Sequence, residues 1–159
     1  TSCADIPRDK VNDYIAFVTI ANDVSARDEQ GIYPEVKPAK DSQWGRGKSF
    51  DTFCPLGYLV TGVSVADIKK GLEIKLSVNG EQKQYGSTSE MMMDVEDLVA
   101  DLSRGTTLRA GTVILTGTPK GTAVEDHFAG GEAVFLKRGD RIVAEIEGLG
   151  ALVNPIAAA

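Results

Sequence analysis

Charged and polar side chains gather in residues 22–30, directly after the apolar stretch 16–22. Asp23, Arg27 and their neighbours place carboxylates and a guanidinium within a few residues of one another. Such a set at the end of a strand can hold a hard cation and an anionic ligand together, because Mg²⁺ prefers a few carboxylates supplemented by water and ligand oxygens. The alternative is a charged turn whose surface ion pairs contribute little.

Lys48 lies between small residues in the stretch 45–52, which reads GRGKSFDT. The stretch resembles a phosphate-binding loop, but that motif needs a glycine where Ser42 stands. Pro55 follows too soon after Ser49 for the long helix that such a loop opens. We therefore expect no nucleotide site. Lys48 either places one ammonium beside an anion or is an ordinary loop lysine.

A third polar stretch, 115–122, reads LTGTPKGT. Gly117 allows a ligand to approach the backbone, and Thr118 offers both a hydroxyl and an amide. A plain turn at the end of a strand is the alternative. His127 is the single histidine of the chain, and we expect it to be a loop residue without a catalytic role.

The elements that must position these side chains follow from hydrophobic periodicity and turn signals. Asn79-Gly80 predicts a tight hairpin, and Gly105 marks the end of a helix. Residues 31–47 are expected to form a long loop. Helices are predicted at 8–15 and 94–103, and strands at 16–22, 72–78, 82–85, 112–116, 142–146 and 151–153. About six or seven strands with two helices predict an α+β fold with a mixed, mainly antiparallel, rolled sheet.

Composition limits the function classes. The 159 residues suggest one domain, spanning 1–159. With 23 acidic and 17 basic residues the net charge is −6, which argues against a nucleic-acid or anionic-membrane surface. Two cysteines make no disulfide framework, so we expect a reduced, cytoplasmic protein in which Cys54 is buried and inert.

Five stretches in a fixed order resemble the fumarylacetoacetate hydrolase family. They read IANDVSARDEQ at 20–30, GRGKSFDTFCPLG at 45–57, LSVNGEQKQYGSTSEM at 76–91, ILTGTPKGT at 114–122 and LKRGDRIVAEIEGLGALVN at 136–154. The resemblance implies a rolled β-sheet domain that forms a homodimer and acts on short 2-oxo or enol acids. Members hydrolyse C–C bonds in acylpyruvates, decarboxylate oxaloacetate-like acids, or isomerise hydroxymuconate-type dienes, with Mg²⁺ or Mn²⁺ bound.

The resemblance also implies roles for individual residues. By that likeness Asp23 is a metal ligand, and Thr52 lies near the metal. Lys48 is the catalytic residue beside metal and substrate, where its charge would help to stabilise an enolate. Arg27 and Gln30 would line the substrate pocket, and Thr118 would contact the substrate carboxylate.

One departure from the family pattern concerns the metal. Family members carry a Glu-x-Glu pair upstream of the NDVSARD-like stretch, whereas the acids before Asp23 here are Asp5, Asp9 and Asp13. The family's lid, which often supplies a His-Glu base, also lies upstream. The chain therefore resembles an N-terminally incomplete catalytic domain whose metal site has one protein carboxylate. A truncated or degenerate member that keeps fold and dimer interface without catalysis is the alternative.

Overall fold

The fold centres on a four-stranded antiparallel sheet with the strand order β2-β1-β3-β4. The computed structural model describes residues 1–33 and 41–157. Within these residues the strands are β1 (Glu73–Val78), β2 (Glu81–Ser87), β3 (Arg141–Ile146) and β4 (Gly150–Pro155). This α+β arrangement with an antiparallel sheet confirms the predicted fold class.

Two hairpins build the sheet. Asn79 (φ 53°) and Gly80 (φ 85°) both adopt positive φ, as the tight turn between β1 and β2 requires. Val78 pairs with Glu81 across that turn, and the register shifts once, between Leu76 and Ser77. β3 and β4 form the second hairpin, and β3 also pairs with β1. The strands predicted at 72–78, 82–85, 142–146 and 151–153 are thus present, with ends that differ by one or two residues.

The remaining regular elements of the described residues are short helices. They are the 3₁₀ helices Arg8–Tyr14 and Thr88–Glu90 and the α-helices α1 (Trp44–Lys48), α2 (Val65–Lys70), α3 (Val95–Leu102) and α4 (Ala123–Phe128). The predicted helices at 8–15 and 94–103 are confirmed. α2 was missed, although Ser64 and Asp67 form a capping box at its start. None of the helices in the described residues is both long and apolar enough to cross a bilayer.

Two separate groups of buried side chains form the core. Ile6, Val11, Val65, Val95 and Val99 pack between the helices. A second, smaller group on the sheet contains Ile20, Ala144 and Leu152. Between the two groups lies a large cavity, which the site described below shares.

Two predicted strands are not regular strands. Residues 16–22 are extended, but they pair with 55–60 through isolated bridges, Val18 with Val60 and Ala21 with Leu56. The prediction of a mostly buried strand there was wrong, since Phe17 is 52% exposed. Residues 112–116 are also extended without belonging to a strand. Their apolar pattern was read correctly, but a strand needs a hydrogen-bonding partner, which the described residues do not supply.

Other expectations need smaller corrections. The described part of the predicted loop 31–47 contains α1 at its end, and residues 34–40 lie outside the described residues. His127 belongs to α4 rather than to a loop. Cys54 is half-buried rather than buried.

Candidate functional site

Asp23 and Lys48 meet in an ion pair between the Asp23 carboxylate and the Lys48 ammonium. Asp23 follows the extended segment 16–22, which is tied to its neighbour by the bond from the Asn22 amide to the Pro55 carbonyl (3.1 Å). Lys48 is the last residue of α1. The side chains are 42% and 30% exposed, respectively, so both remain accessible to a ligand. The proximity that we expected is therefore present, although Asp23 does not end a regular strand.

Arg27 lies in a turn that is closed by the bond from the Gln30 amide to the Ala26 carbonyl (3.1 Å). Its Nη1 donates to Oε1 of Gln30 at 3.0 Å. Within the described residues Arg27 makes no ion pair with a carboxylate, unlike Lys48. Among the described residues, only one of the guanidinium's five N–H groups has a hydrogen-bond partner.

Three hydrogen bonds join the Arg27 turn to the segment that carries Lys48. The Ala26 amide donates to the Gly47 carbonyl at 2.9 Å, and the Gln43 amide donates to the Glu29 carbonyl at 2.8 Å. The Ser42 hydroxyl donates to the Gln30 carbonyl at 2.6 Å. The backbone segments that carry Arg27 and Lys48 are therefore hydrogen-bonded to each other, which restricts the separation of the two side chains.

The Thr118 loop is held against β2. Gln84 Nε2 donates to Thr118 Oγ1 at 3.1 Å and to the Pro119 carbonyl at 2.9 Å. Close packing reinforces this, because a Cβ on Gly121 would lie 2.0 Å from the Lys83 carbonyl oxygen. The predicted polar loop is thus fixed by the hairpin rather than free in solvent.

A cavity of about 1240 Å³ borders most of these groups. Asp23, Arg27, Lys48 and Thr118 all line it. Gln30 and Thr52 do not belong to its lining. Gln30 lies behind Arg27 and is only 2% exposed. Its role as a pocket residue remains a prediction from resemblance.

Thr52 is exposed and has a left-handed backbone, with φ of 68°. That conformation is rare and costly for a β-branched residue. The strain lies four residues after Lys48, in the segment that leads back toward Pro55. No sequence signal could have announced it, because threonine normally argues against this conformation.

The donor set suits a metal only in part. The described residues contain no group of three His, Cys, Asp or Glu side chains able to hold an ion. Asp23 offers one carboxylate, and Lys48 neutralises it in the structure. Mg²⁺ can be held by one or two carboxylates when waters and a ligand supply the remaining oxygens. The site therefore fits an open Mg²⁺ or Mn²⁺ position, not a closed one.

A second charged cluster lies away from this cavity and joins three helices. Asp94 caps α3 and pairs with Arg8 and with Lys69 (2.9 Å). The bond from Lys69, the Asp97 amide and the nearby Arg8 charge hold the pKa of Asp94 far below its ordinary value. Asp94 forms ion pairs with two cationic side chains of neighbouring helices. We therefore regard this cluster as structural.

The family comparison covers almost the whole chain. Residues 1–157 match the family model described as fumarylacetoacetate hydrolase C-terminal. A human mitochondrial oxaloacetate tautomerase is 46% identical over 144 residues, which are 90% of this chain and 42% of that protein. An uncharacterized protein of Methanocaldococcus jannaschii is 45% identical over 96% of this chain and 55% of its own length.

Solved structures agree with this result. A 5-carboxymethyl-2-hydroxymuconate delta-isomerase from Mycobacterium smegmatis matches with a TM-score of 0.79 and 38% identity, covering 98% of this chain and 54% of that one. A fumarylacetoacetate hydrolase from Exiguobacterium antarcticum gives a TM-score of 0.80 and 35% identity, covering 100% and 53%. The chain thus spans about half the length of the relatives it matches.

Proposed function

The chain belongs to the fumarylacetoacetate hydrolase family, and from that premise we propose that its site acts on short 2-oxo acids through an enol or enolate. The observation that carries the proposal is the ion pair of Asp23 with Lys48, whose segment is joined by backbone hydrogen bonds to the turn of Arg27. All three residues line one cavity. A 2-oxo acid carries a carboxylate beside a carbonyl, and one cationic group for each suits that pair. The backbone bonds between the two segments fix the distance between those cations.

Each side chain has a definite task in this proposal. Arg27 binds a substrate carboxylate through its fork of N–H donors. Lys48 faces the 2-oxygen, where negative charge develops as the enolate forms, and a fixed positive charge there lowers the barrier. Thr118 adds a hydroxyl to the carboxylate end of the substrate. Asp23 orients the Lys48 ammonium until substrate and cation enter.

Asp23 is also the residue that would hold Mg²⁺ or Mn²⁺, and by family likeness Thr52 would lie near the ion. Such an ion supplies a Lewis-acidic charge that polarises the 2-oxo oxygen and orients the acid. The carboxylate is accessible, which entry of an ion requires. With one protein carboxylate in place, the affinity of this chain for the ion should be low.

The fate of the enolate decides the reaction. Protonation at carbon gives isomerisation or tautomerisation, as in the names of the human and M. smegmatis relatives. In acylpyruvate hydrolysis, water adds to the distal acyl carbonyl, the C–C bond breaks, the acyl group leaves as a carboxylic acid, and the pyruvate enolate remains to be protonated. In decarboxylation, loss of CO₂ from an oxaloacetate-like acid leaves the enolate. All three reactions develop negative charge at the 2-oxygen. We therefore propose that the site stabilises this charge, and that the reaction is hydrolysis, decarboxylation or isomerisation.

We further propose that residues 1–159 form an N-terminally incomplete catalytic domain. Residues 113–118 and 132–136 belong to no helix or strand, and within the described parts of the chain they make no backbone–backbone hydrogen bonds. Both segments line the large cavity. Unpaired backbone beside an apolar cavity is what remains when neighbouring strands are absent. The matched relatives are about twice as long as this chain.

Calorimetric titration tests the proposed function directly. With Mg²⁺ present, the protein should bind oxalate, which mimics the enolate of pyruvate, and it should accelerate the tautomerisation of oxaloacetate. Lys48→Ala should lower kcat by roughly 10²–10³, since one preorganised charge is lost. Lys70→Ala, which removes an equal charge from the surface of α2, should change little. Absence of oxalate binding would instead support the degenerate family member.

A further inference from the structure

We propose that Gln84 is a positioning residue that makes the Thr118 hydroxyl a hydrogen-bond donor toward the substrate carboxylate, and that a β-bulge at Lys83 brings Gln84 to this place. This inference rests on the proposed function, because it concerns how Thr118 meets an anionic ligand. In the proposal Gln84 touches Thr118, and Thr118 touches the ligand.

The β-bulge lies in β2, where the register of the first hairpin shifts. Glu81 pairs with Val78 across the turn. A regular register would continue with Lys83 opposite Leu76, but Gln84 takes that place and Lys83 is the extra residue of β2. One extra residue exchanges the face to which the following side chains point. Gln84 therefore lies on the same face of the sheet as Leu76, and both residues line the cavity.

The Thr118 loop packs directly on the bulged part of β2. A Cβ on Gly121 would lie 2.0 Å from the Lys83 carbonyl oxygen, and a Cβ on Gly86 would lie 2.8 Å from Pro119 Cβ. Loop and strand thus approach each other closely on both sides of Gln84. The half-buried Gln84 side chain belongs to this contact, because both of its acceptors lie in the loop.

The Pro119 carbonyl fixes which end of the Gln84 amide faces the loop. A carbonyl oxygen can only accept, so the Gln84 atom that lies 2.9 Å from it must be Nε2. The second proton of the same Nε2 is donated to Thr118 Oγ1 at 3.1 Å. Because an amide nitrogen does not accept a hydrogen bond, the Thr118 hydroxyl must direct its own proton elsewhere.

The proton of the Thr118 hydroxyl is consequently left for a ligand. The hydroxyl reaches the Pro119 carbonyl oxygen at 3.5 Å, which is beyond the usual ~2.5–3.0 Å of an O–H···O bond. Thr118 is exposed and lines the cavity. A carboxylate offers acceptors alone, so it forms a charge-assisted hydrogen bond with a hydroxyl that presents its proton. Without Gln84 the hydroxyl would also present its lone pairs, which repel an anion.

A double-mutant cycle tests whether Gln84 acts through the Thr118 hydroxyl. Gln84→Met removes the amide donor, and Thr118→Val replaces the hydroxyl by a methyl group. With oxalate and Mg²⁺ as the probe, each single substitution should weaken binding about tenfold, as expected for one hydrogen bond to a charged group. In the Thr118→Val background, Gln84→Met should change the dissociation constant by less than about twofold. A tenfold effect in that background would show that Gln84 contacts the ligand itself or only holds the loop, and the proposal would be wrong.

Two controls separate the hydroxyl from general damage to the hairpin. Thr118→Ser keeps the hydroxyl, so Gln84→Met should still weaken oxalate binding about tenfold in that background. Gln82→Met makes the same change at an exposed position of β2, opposite Ser77, and should leave oxalate binding unchanged. If Gln82→Met weakens binding as much as Gln84→Met does, the effect comes from the strand and the proposal is overturned.

A measurement without ligand separates this inference from the proposed function. Relaxation of the ¹³C-labelled Thr118 methyl group should show an ordered side chain in the wild type and in Gln82→Met, and a mobile one in Gln84→Met. If Thr118 stays equally ordered in Gln84→Met, the inference is overturned even where oxalate binds. If oxalate fails to bind but Thr118 loses its order, the proposed function fails and the positioning of Thr118 by Gln84 stands.

Discussion

At the scale of single residues, the role of His127 decides whether this chain supplies its own general base. It lies edge-on to Tyr33, with ring centroids 5.1 Å apart, and Tyr33 in turn packs on Phe135. His127 does not line the cavity. The aromatic contacts thus account for the position of the imidazole without a role in proton transfer. His127 is therefore a packing residue in our account.

His127→Ala should accordingly lower kcat by less than about tenfold, because loss of a general base costs roughly 10²–10⁴. His127→Phe keeps the aromatic contacts and should match the wild type. Steady-state kinetics with oxaloacetate would measure both variants. A loss of a hundredfold or more in both, with Mg²⁺ affinity unchanged, would mean that this chain supplies its own base.

At the scale of elements, the Thr118 loop depends on its contact with β2. Gly121 has a φ of 101°, and any Cβ there would collide with the Lys83 carbonyl oxygen. Gly130 also has a positive φ, of 83°, but nothing lies within 4 Å of its Cβ position. Gly130→Ala thus pays the cost of the backbone conformation alone, which is about 1–2 kcal/mol.

Gly121→Ala should reduce the free energy of unfolding by more than Gly130→Ala, with roughly 1–3 kcal/mol added by the overpacking. Urea denaturation of the two variants would compare them. The Thr118 loop should also move away from Gln84, so oxalate binding should weaken in Gly121→Ala alone. Equal destabilisation by both substitutions would show that the loop does not press on β2 as described.

The helices are joined by charge, and this makes their stability depend on pH. The pKa of Asp94 is lowered by the bond from Lys69, the Asp97 amide and the nearby Arg8 charge, and that of Asp67 is lowered to about 2 by its bonds to Ser64. A carboxyl whose pKa is lower in the folded state stabilises the fold above its unfolded pKa. That contribution is present above about pH 4 and is lost as the pH falls through the folded pKa.

Asp94→Asn should therefore destabilise the protein at pH 7 and progressively less as the pH is lowered from about 4 to 2. Urea denaturation at several pH values would follow the difference. Asp101→Asn is the matched control, since Asp101 forms an exposed pair with Arg104 within one helical turn and should have little effect. A destabilisation by Asp94→Asn that does not change with pH would contradict this account of the cluster.

At the scale of the whole molecule, much apolar surface is left uncovered. Tyr58 is 86% exposed and Val134 72% exposed, and Phe17 and Leu59 are more than half exposed. β2 and β4 are the two edges of the sheet. Exposed apolar side chains and open sheet edges are typical of surfaces that a second chain or another part of the same protein covers.

We predict a homodimer that buries well over ~1,000 Å². Light scattering at high micromolar concentration should give twice the mass of the chain. Tyr58→Asp would shift the protein toward monomer if Tyr58 lies in that interface, and Lys10→Asp at the surface serves as a charge control. Monomeric wild-type protein at high concentration would refute the homodimer.

The local elements could be read from the sequence because their signals are local. The alternation of β1 and β3 and the Asn79-Gly80 turn each specify structure within a few residues, and the same holds for the helix that ends before Gly105. The order of the five stretches that resemble the family was enough to indicate it. Residues 112–116 carried an equally good strand pattern and still form no strand, since pairing depends on a partner distant in the chain.

The site was decided by tertiary structure for the same reason. Sequence could place Asp23 and Lys48 in polar stretches, but their ion pair joins residues 25 positions apart. The burial of Gln30 behind Arg27 depends on Gly47, and the strain at Thr52 runs against the usual preference of threonine. A sequence pattern reports what each residue favours locally. Contacts between distant segments determine which side chains line the cavity and which are buried behind it.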